Sequence, residues 1–211
     1  IGIVIPAFNE SKTIKKIVLG SRKYGIPIVV DDGSLDNTAE IAKIHGAEIV
    51  IHKTNCGYDF ALNSGFEKAK ELSCDCIITL DADGQHDPAL LKLFISSIEN
   101  GADVVLGVRD RTQRFAEKLF AIIANKNFSI KDPLCGMKAY RIEIYNELGH
   151  FDSYNSIGTE LAIFASKKNK KIKQIHFKTN ERLDNPRFGK IIFANYKILR
   201  ALFYSLYYRN S

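Results

Sequence analysis

Short apolar runs alternate along the chain with longer stretches in which apolar residues recur every three or four positions. Residues 1–6, 26–30, 48–51, 76–80 and 103–107 have the length and β-branched content of strands, while segments starting near Ser11, Asp36, Asp59 and Asp87 carry the period of amphipathic helices. This succession predicts parallel strands joined by crossover helices, because parallel neighbours need a connection of a dozen residues or more. Such a sheet gathers its ligands beyond the carboxyl ends of its strands, so the residues after each apolar run are the ones to read for chemistry. Beyond Gly107 the regularity weakens. Residues 109–132 are basic and partly helical, 133–140 read as a strand, 156–167 as a helix and 172–177 as a last strand.

The 211 residues, 45% of them hydrophobic, suffice for one α/β domain with a sizeable core and carry no mark of disorder or of a disulfide scaffold. Residues 1–190 are expected to form that domain and 191–211 an amphipathic C-terminal helix. The stretch 191–208 is rich in Ile, Leu, Phe and Tyr, but Asn195, Lys197 and Arg200 interrupt it. It therefore reads as a helix packed on the sheet, on a partner or along a membrane face, and not as one that spans. Lys167, Lys168, Lys170, Lys171 and Lys173 read as a solvated helix end, with a membrane-facing patch as the alternative. Cys56, Cys74, Cys76 and Cys135 lack the paired spacing of a zinc site, so reduced thiols in a cytoplasmic protein, at the cytoplasmic face of a membrane where the last helix touches one, are expected. The chain opens without Met on a strand-like run, which reads as a trimmed start and not as a signal peptide.

Thirty Lys and Arg against 24 Asp and Glu give a formal charge of +6, which suits phosphorylated ligands or an anionic surface. The most informative stretch is 77–88, Ile-Ile-Thr-Leu-Asp-Ala-Asp-Gly-Gln-His-Asp-Pro, an apolar strand running into two carboxylates one residue apart. Strand alternation puts Asp81 and Asp83 on the same side. Paired hard oxygen donors suit Mg²⁺ or Mn²⁺, which bridge protein carboxylates and substrate phosphates, and Gln85 and His86 stand ready to complete or support that shell. Asp87-Pro88 is a good helix cap, but capping uses one side chain and leaves Asp81 and Asp83 unexplained.

A second acidic strand end, Asp31-Asp32-Gly33-Ser34, offers carboxylates to a base or ribose at the sheet's open edge. Consecutive acids after a buried strand are costly without a partner. Pro6-Ala7-Phe8-Asn9-Glu10 ends the first run, where it either flanks a nucleotide or caps the next helix. Asn55-Cys56-Gly57 opens a helix whose amide end can face a phosphate, without the glycine spacing of a P-loop or dinucleotide fingerprint. These acidic ends argue against nucleic acid as a partner, since they repel its backbone.

Taken in order, residues 4–10, 30–34, 55–57 and 81–86 resemble the family 2 glycosyltransferases, closest to the dolichol-phosphate mannose synthase and polyprenyl-phosphate glycosyltransferase branch. The likeness spans residues 1–190, and the ordered set is far more specific than any one motif. It implies the GT-A fold, a Rossmann-like, mostly parallel sheet flanked by helices, together with a UDP- or GDP-linked sugar donor and inversion at the anomeric carbon. It implies that Pro6, Ala7, Asn9, Glu10, Asp31, Asp32, Asn55, Gly57, Asp81 and Ala82 line the nucleotide-sugar site, and that Asp81, Asp83 and Gln85 surround Mg²⁺ or Mn²⁺. Arg109, Arg114 and Arg182 would bind an acceptor phosphate. Residues 132–138 resemble the family's D-P-x-x-G-F/M-R/K element, and Arg182 with Gly189-Lys190 its final basic segment. Gly84 departs from the bulkier apolar residue of this branch, and the spanning helices of some members are not seen.

The enzyme so implied is a metal-dependent hexosyltransferase of cell-envelope glycan synthesis. An acceptor oxygen attacks the anomeric carbon while a cation held by Asp81 and Asp83 neutralises the departing diphosphate. A polyprenyl phosphate, dolichyl or undecaprenyl, is already an anion and needs arginines instead of a general base. A saccharide hydroxyl would need a base, with Asp132 or Glu160 as the candidate. Two other classes are a nucleotidyltransferase, for which a basic glycine-rich loop near the N-terminus is lacking, and a non-catalytic nucleotide-sugar binding module. The sequence leaves a homo-oligomer open.

Overall fold

The computed structural model describes residues 1–110, 114–180 and 191–207, with the side chains of 191–193 excepted. The apolar runs form β1 (Gly2–Ala7), β2 (Ile26–Asp31), β3 (Glu48–Ile51), β4 (Cys76–Thr79), β5 (Val104–Arg109), β6 (Lys138–Arg141) and β7 (Ile172–Phe177). They make one sheet in the order β3-β2-β1-β4-β6-β5-β7. Every pairing is parallel except those of β6, which runs antiparallel to both β4 and β5.

Strand alternation divides the core between the two faces. Val4, Ile28, Ile77 and Val104 point to one side, where α3 (Tyr58–Glu71), α5 (Phe115–Phe128), α6 (Ile142–Leu148), α7 (Glu160–Lys167) and α8 (Ile191–Tyr207) bury them. Ile3, Ile5, Val29, Ile78 and Val105 point to the other, under α1 (Ile14–Ser21), α2 (Thr38–Ile44) and α4 (Leu91–Glu99). The helix α3 lies so close to the sheet that a side chain at Gly65 would meet Val4. From β1 the chain winds outward to β2 and β3 and then returns to the other side of β1 as β4, and where the strand order reverses in this way ligands gather in a crevice beyond the carboxyl ends of the strands. Asp81 and Asp83 follow β4 at that crevice.

The expected α/β architecture is present, with three local differences. Of the strand expected over 133–140, Lys138–Arg141 alone pairs as strand. Pro133 has no N–H to donate, and Asp132 and Gly136 bond instead to side chains, the Asp132 carboxylate accepting from Arg109 Nε and the Gly136 C=O from Thr79 Oγ1. Helix α6 does not follow from the sequence pattern, because Ile142-Glu143-Ile144 alternates like a strand; it ends on Gly149 at φ 87°, the left-handed turn that glycine adopts without strain. Helix α7 starts at Glu160, since Asn155, Ile157 and Gly158 take positive φ and shape a loop ahead of it. For the β-branched Ile157 that conformation is strained.

The last helix has two characters. Ala194 is buried, and Ile198, Ala201 and Leu202 join the core shared with α5 and the sheet. Tyr196, Phe203, Leu206 and Tyr207 face outward, Tyr207 at 70% exposure. Among the described residues no helix is long and apolar enough to cross a membrane.

Candidate functional site

Three strand-end loops close on one another beside the crevice. Asn9, at φ 53°, donates its N–H to Ser34 Oγ (2.8 Å) and accepts from the Leu35 N–H (2.7 Å). Glu10 N–H donates to Thr38 Oγ1 (2.8 Å) and Ser11 N–H to Asp36 Oδ2 (3.1 Å), so the loops after β1 and β2 are zipped together. The Asp31 carboxylate accepts from Ser34 N–H (3.1 Å) and shapes the turn. Gly33, at φ 76°, is required there, since a Cβ would stand 2.8 Å from the backbone of Thr54 and Asn55.

Asp32 ties the third loop to the second. Its Oδ2 accepts from Gly57 N–H (2.8 Å), and its Oδ1 accepts from Cys56 N–H (2.9 Å) and lies 2.7 Å from His52 Nδ1. The other nitrogen of His52 lies 3.0 Å from Ser64 Oγ on α3. Gly57, at φ 97°, then releases the chain into α3. Pro6, Ala7, Asn9, Glu10, Asp31, Asp32, Asn55 and Gly57 are thus brought to one wall.

Asp81 and Asp83 form the adjoining wall. The Asp81 side chain is 26% exposed; its Oδ1 accepts from Tyr58 O–H (3.2 Å), and its Oδ2 lies against Gly136, where any Cβ would collide with it. Burial, and then the charge of Asp81, hold the Tyr58 hydroxyl well above its ordinary pKa, so it stays a donor. Asp83 Oδ1 accepts from Gln85 N–H (3.0 Å), and Ala82 is buried beneath. The chain after β7 returns to this loop: Asn180 N–H donates to Gln85 C=O (2.9 Å), and Thr179 donates to Asp110.

The third cluster lies at the end of β5. Arg109 grips Asp132 in a fork, Nε to Oδ2 and Nη2 to Oδ1, both at 2.8 Å, and Nη2 reaches Glu117 at 3.4 Å. Arg114 Nη1 lies 3.9 Å from the same Glu117. Burial opposes the charge on Arg109, but the bonds to Asp132 and its charge outweigh it and raise the pKa above the ordinary value. Residues 132–136 join this cluster to the carboxylate of Asp81. Arg182 lies outside the described residues, as do Gly189 and Lys190.

Glu160 is sealed at 2% exposure, accepting from Ser153 N–H (2.6 Å) and Oγ and lying 3.0 Å from His150 Nε2. The loop ahead of it is held from α3 and β6, by Asp59, which the sequence marks only as a helix start, and by Lys138, the last residue of the 132–138 element. Asp59 accepts from the N–H groups of Ile157 (3.2 Å) and Gly158 (2.6 Å), while buried Lys138 donates to Gly158 C=O. Burial, and then Asp152, push the Asp59 pKa up to about 7; burial also pulls Lys138 down to about 8, against the pull of nearby carboxylates. In the sequence Asp59 reads as a first-turn helix acid, and its partners are nearly a hundred residues away.

The pattern described as glycosyl transferase family 2 matches residues 2–149. An uncharacterized protein of Methanocaldococcus jannaschii is 31% identical over 95% of this chain and 89% of its own length. The UDP-N-acetylglucosamine–dolichyl-phosphate N-acetylglucosaminyltransferase of Methanococcus voltae is 28% identical over 95% of this chain and 93% of its own. In fold, the chain is similar to the glucosyl-3-phosphoglycerate synthase of Mycobacterium tuberculosis in its crystal structure with Mn²⁺ and UDP-glucose. There the TM-score is 0.78, with 20% identity over 97% of this chain and 78% of that one.

Proposed function

The chain belongs to glycosyl transferase family 2, and on that footing we propose that it moves a sugar, with inversion, from a UDP- or GDP-linked donor to a polyprenyl phosphate, dolichyl or undecaprenyl. The observation that carries this reading is the carboxylate of Asp81, partly exposed beside Asp83 at the switch point of the sheet, with Gly136 leaving it room. A Methanococcus relative is named for transfer to dolichyl phosphate, and a fold neighbour was crystallised with Mn²⁺ and UDP-glucose; both are consistent with the reading.

The donor set fits Mg²⁺ or Mn²⁺: Asp81, Asp83 and the Gln85 amide are hard oxygen ligands, and the cradle beside Asp81 is one that a side chain at 136 would fill. These three residues would hold the cation, which when bound neutralises charge building on the leaving diphosphate. The wall of Pro6, Ala7, Asn9, Glu10, Asp31, Asp32, Asn55, Gly57 and Ala82 holds the nucleotide sugar. Most of its acidic oxygens are already engaged, so it acts as a shaped surface of backbone and turn.

An acceptor phosphate brings its own negative charge, and the chain's task is to hold it in line with the anomeric carbon. Arg109, Arg114 and Arg182 take that role. Asp132 aligns the Arg109 fork, which keeps Nη1 for the acceptor: Nε and Nη2 are the atoms it uses on carboxylates among the described residues. The state of Asp132 and Glu160 favours a phosphate over a hydroxyl acceptor, since a base must have a lone pair to offer. One is gripped by Arg109, and the other is sealed by Ser153 and His150. We take 1–190 as the catalytic domain and α8, with its outward aromatic face, as the element that rests on the lipid surface.

The test is nucleoside diphosphate release from UDP-, GDP- and dTDP-sugars with Mg²⁺ or Mn²⁺, with and without polyprenyl phosphate, and the mass of any glycolipid formed. Lipid-dependent release with a matching glycosyl phospholipid is expected. Release that ignores lipid redirects the reading to a saccharide acceptor.

A further inference from the structure

His86 follows the carboxylates Asp81 and Asp83 and is only 3% exposed, yet neither ring nitrogen has a hydrogen-bond partner among the described residues. The ring stands edge-on to Phe177, centroids 5.5 Å apart at 83°. Its Nδ1 lies 3.6 Å from Asp81 Oδ2, too far for a hydrogen bond. A buried polar group left so carries a desolvation penalty that an apolar side chain in the same pocket would not incur. A closure of less than about 1 Å would bring Nδ1 and Oδ2 within bonding distance.

The geometry around Asp81 gives that closure a use. Tyr58 already donates to Oδ1 from the start of α3. A second donor on Oδ2 would hold the carboxylate from two sides and leave its remaining lone pairs turned to the crevice. We propose that His86 is a positioning residue for Asp81, donating Nδ1–H to Oδ2 and fixing the carboxylate's orientation when the donor diphosphate and its divalent cation enter. The proposal rests on the reading of the site given above. His86 acts through Asp81 and is not itself a ligand, since both nitrogens are shut off from solvent behind the loop. Partners of ligating carboxylates commonly have this influence, and losing one typically weakens metal affinity roughly 10–100-fold.

The experiment follows Mn²⁺ binding in the presence of UDP and, separately, GDP, by loss of the free-ion electron paramagnetic resonance signal. His86→Leu should bind Mn²⁺ roughly 10–100-fold more weakly, and His86→Asn, whose amide nitrogen can replace Nδ1, should recover most of the affinity. A nitrogen-15 spectrum of the unaltered protein with Mg²⁺ and nucleotide supplies a readout that does not depend on either variant folding. It should show the His86 proton on Nδ1. A His86→Leu protein that melts like the unaltered one and binds Mn²⁺ equally well overturns the proposal. So does a proton on Nε2 with a bare Nδ1, or a direct manganese–nitrogen coupling, which would make His86 a ligand. If the unaltered protein binds no Mn²⁺ with either nucleotide, the reading of the site fails and takes this proposal with it.

Discussion

The chain has two acidic strand ends, one after β2 and one after β4, which differ in what their carboxylates touch. Asp32 accepts from the amides of Cys56 and Gly57 and meets His52, so nearly every lone pair is used to hold one loop against another. Asp81 takes one tyrosine hydroxyl, keeps a quarter of its side chain exposed and lies against a glycine. Acidic residues at the mouth of a sheet therefore stand in two states: a saturated carboxylate holds one loop to another, and a partly exposed one keeps lone pairs turned to the crevice.

The largest expected effect is at the open end. Asp81→Ala should lower kcat by about 10³-fold or more, the scale of several kcal/mol of lost charge stabilisation, while the melting temperature stays put. Diphosphate release and a thermal melt on the same preparation check both halves, and retained turnover would show that Asp81 holds no ligand needed for the reaction.

Asp59 is a third kind of carboxylate, bonded to two amides yet forced up to about 7 by burial and by Asp152. Its folded pKa lies above its unfolded value, so the folded state binds the proton more tightly. That contribution to stability is complete below about pH 4 and is lost as pH rises through about 7, by an amount on the order of 4 kcal/mol. Urea unfolding across that window should show the decline, and Asp59→Asn should flatten it.

At the saturated end the expected loss is smaller and of a different kind. Asp32→Ala should destabilise the fold by roughly 2 kcal/mol, because two amides lose their acceptor, and should raise the KM for donor more than it lowers kcat. Chemical denaturation and donor titration separate the two. Smallest is Tyr58→Phe, which removes one donor from Asp81: about 1 kcal/mol, or a few-fold in kcat, with stability little changed.

The sheet and the crevice were legible because both are written in local pattern. Strand-length apolar runs announce β1 to β5, and Asp81-Ala82-Asp83 at the end of one of them announces oxygen chemistry. The antiparallel placement of β6 was not legible, since no periodicity in 138–141 says which neighbours it will pair with. Nor was the difference between Asp32 and Asp81, because it depends on where Gly57 and Gly136 come to lie. The clamp on Gly158 by Asp59 and Lys138 joins three distant segments, and each of its residues has an ordinary local reading. His86 was visible as a neighbour of the carboxylates, but its want of a partner appears only once Phe177 is packed against it.

The insertion of β6 between β4 and β5 has a consequence for synthesis on the ribosome. When β4 has emerged, the strand that completes its outer edge, Lys138–Arg141, is still to be made. At about 5–20 residues per second the nascent chain carries that naked edge for several seconds, in which an unpaired edge invites pairing with other chains. The half of the sheet bearing the carboxylates is thus committed to wait for its own later sequence, and an exposed β4 edge is where a stalled or truncated chain would begin to aggregate.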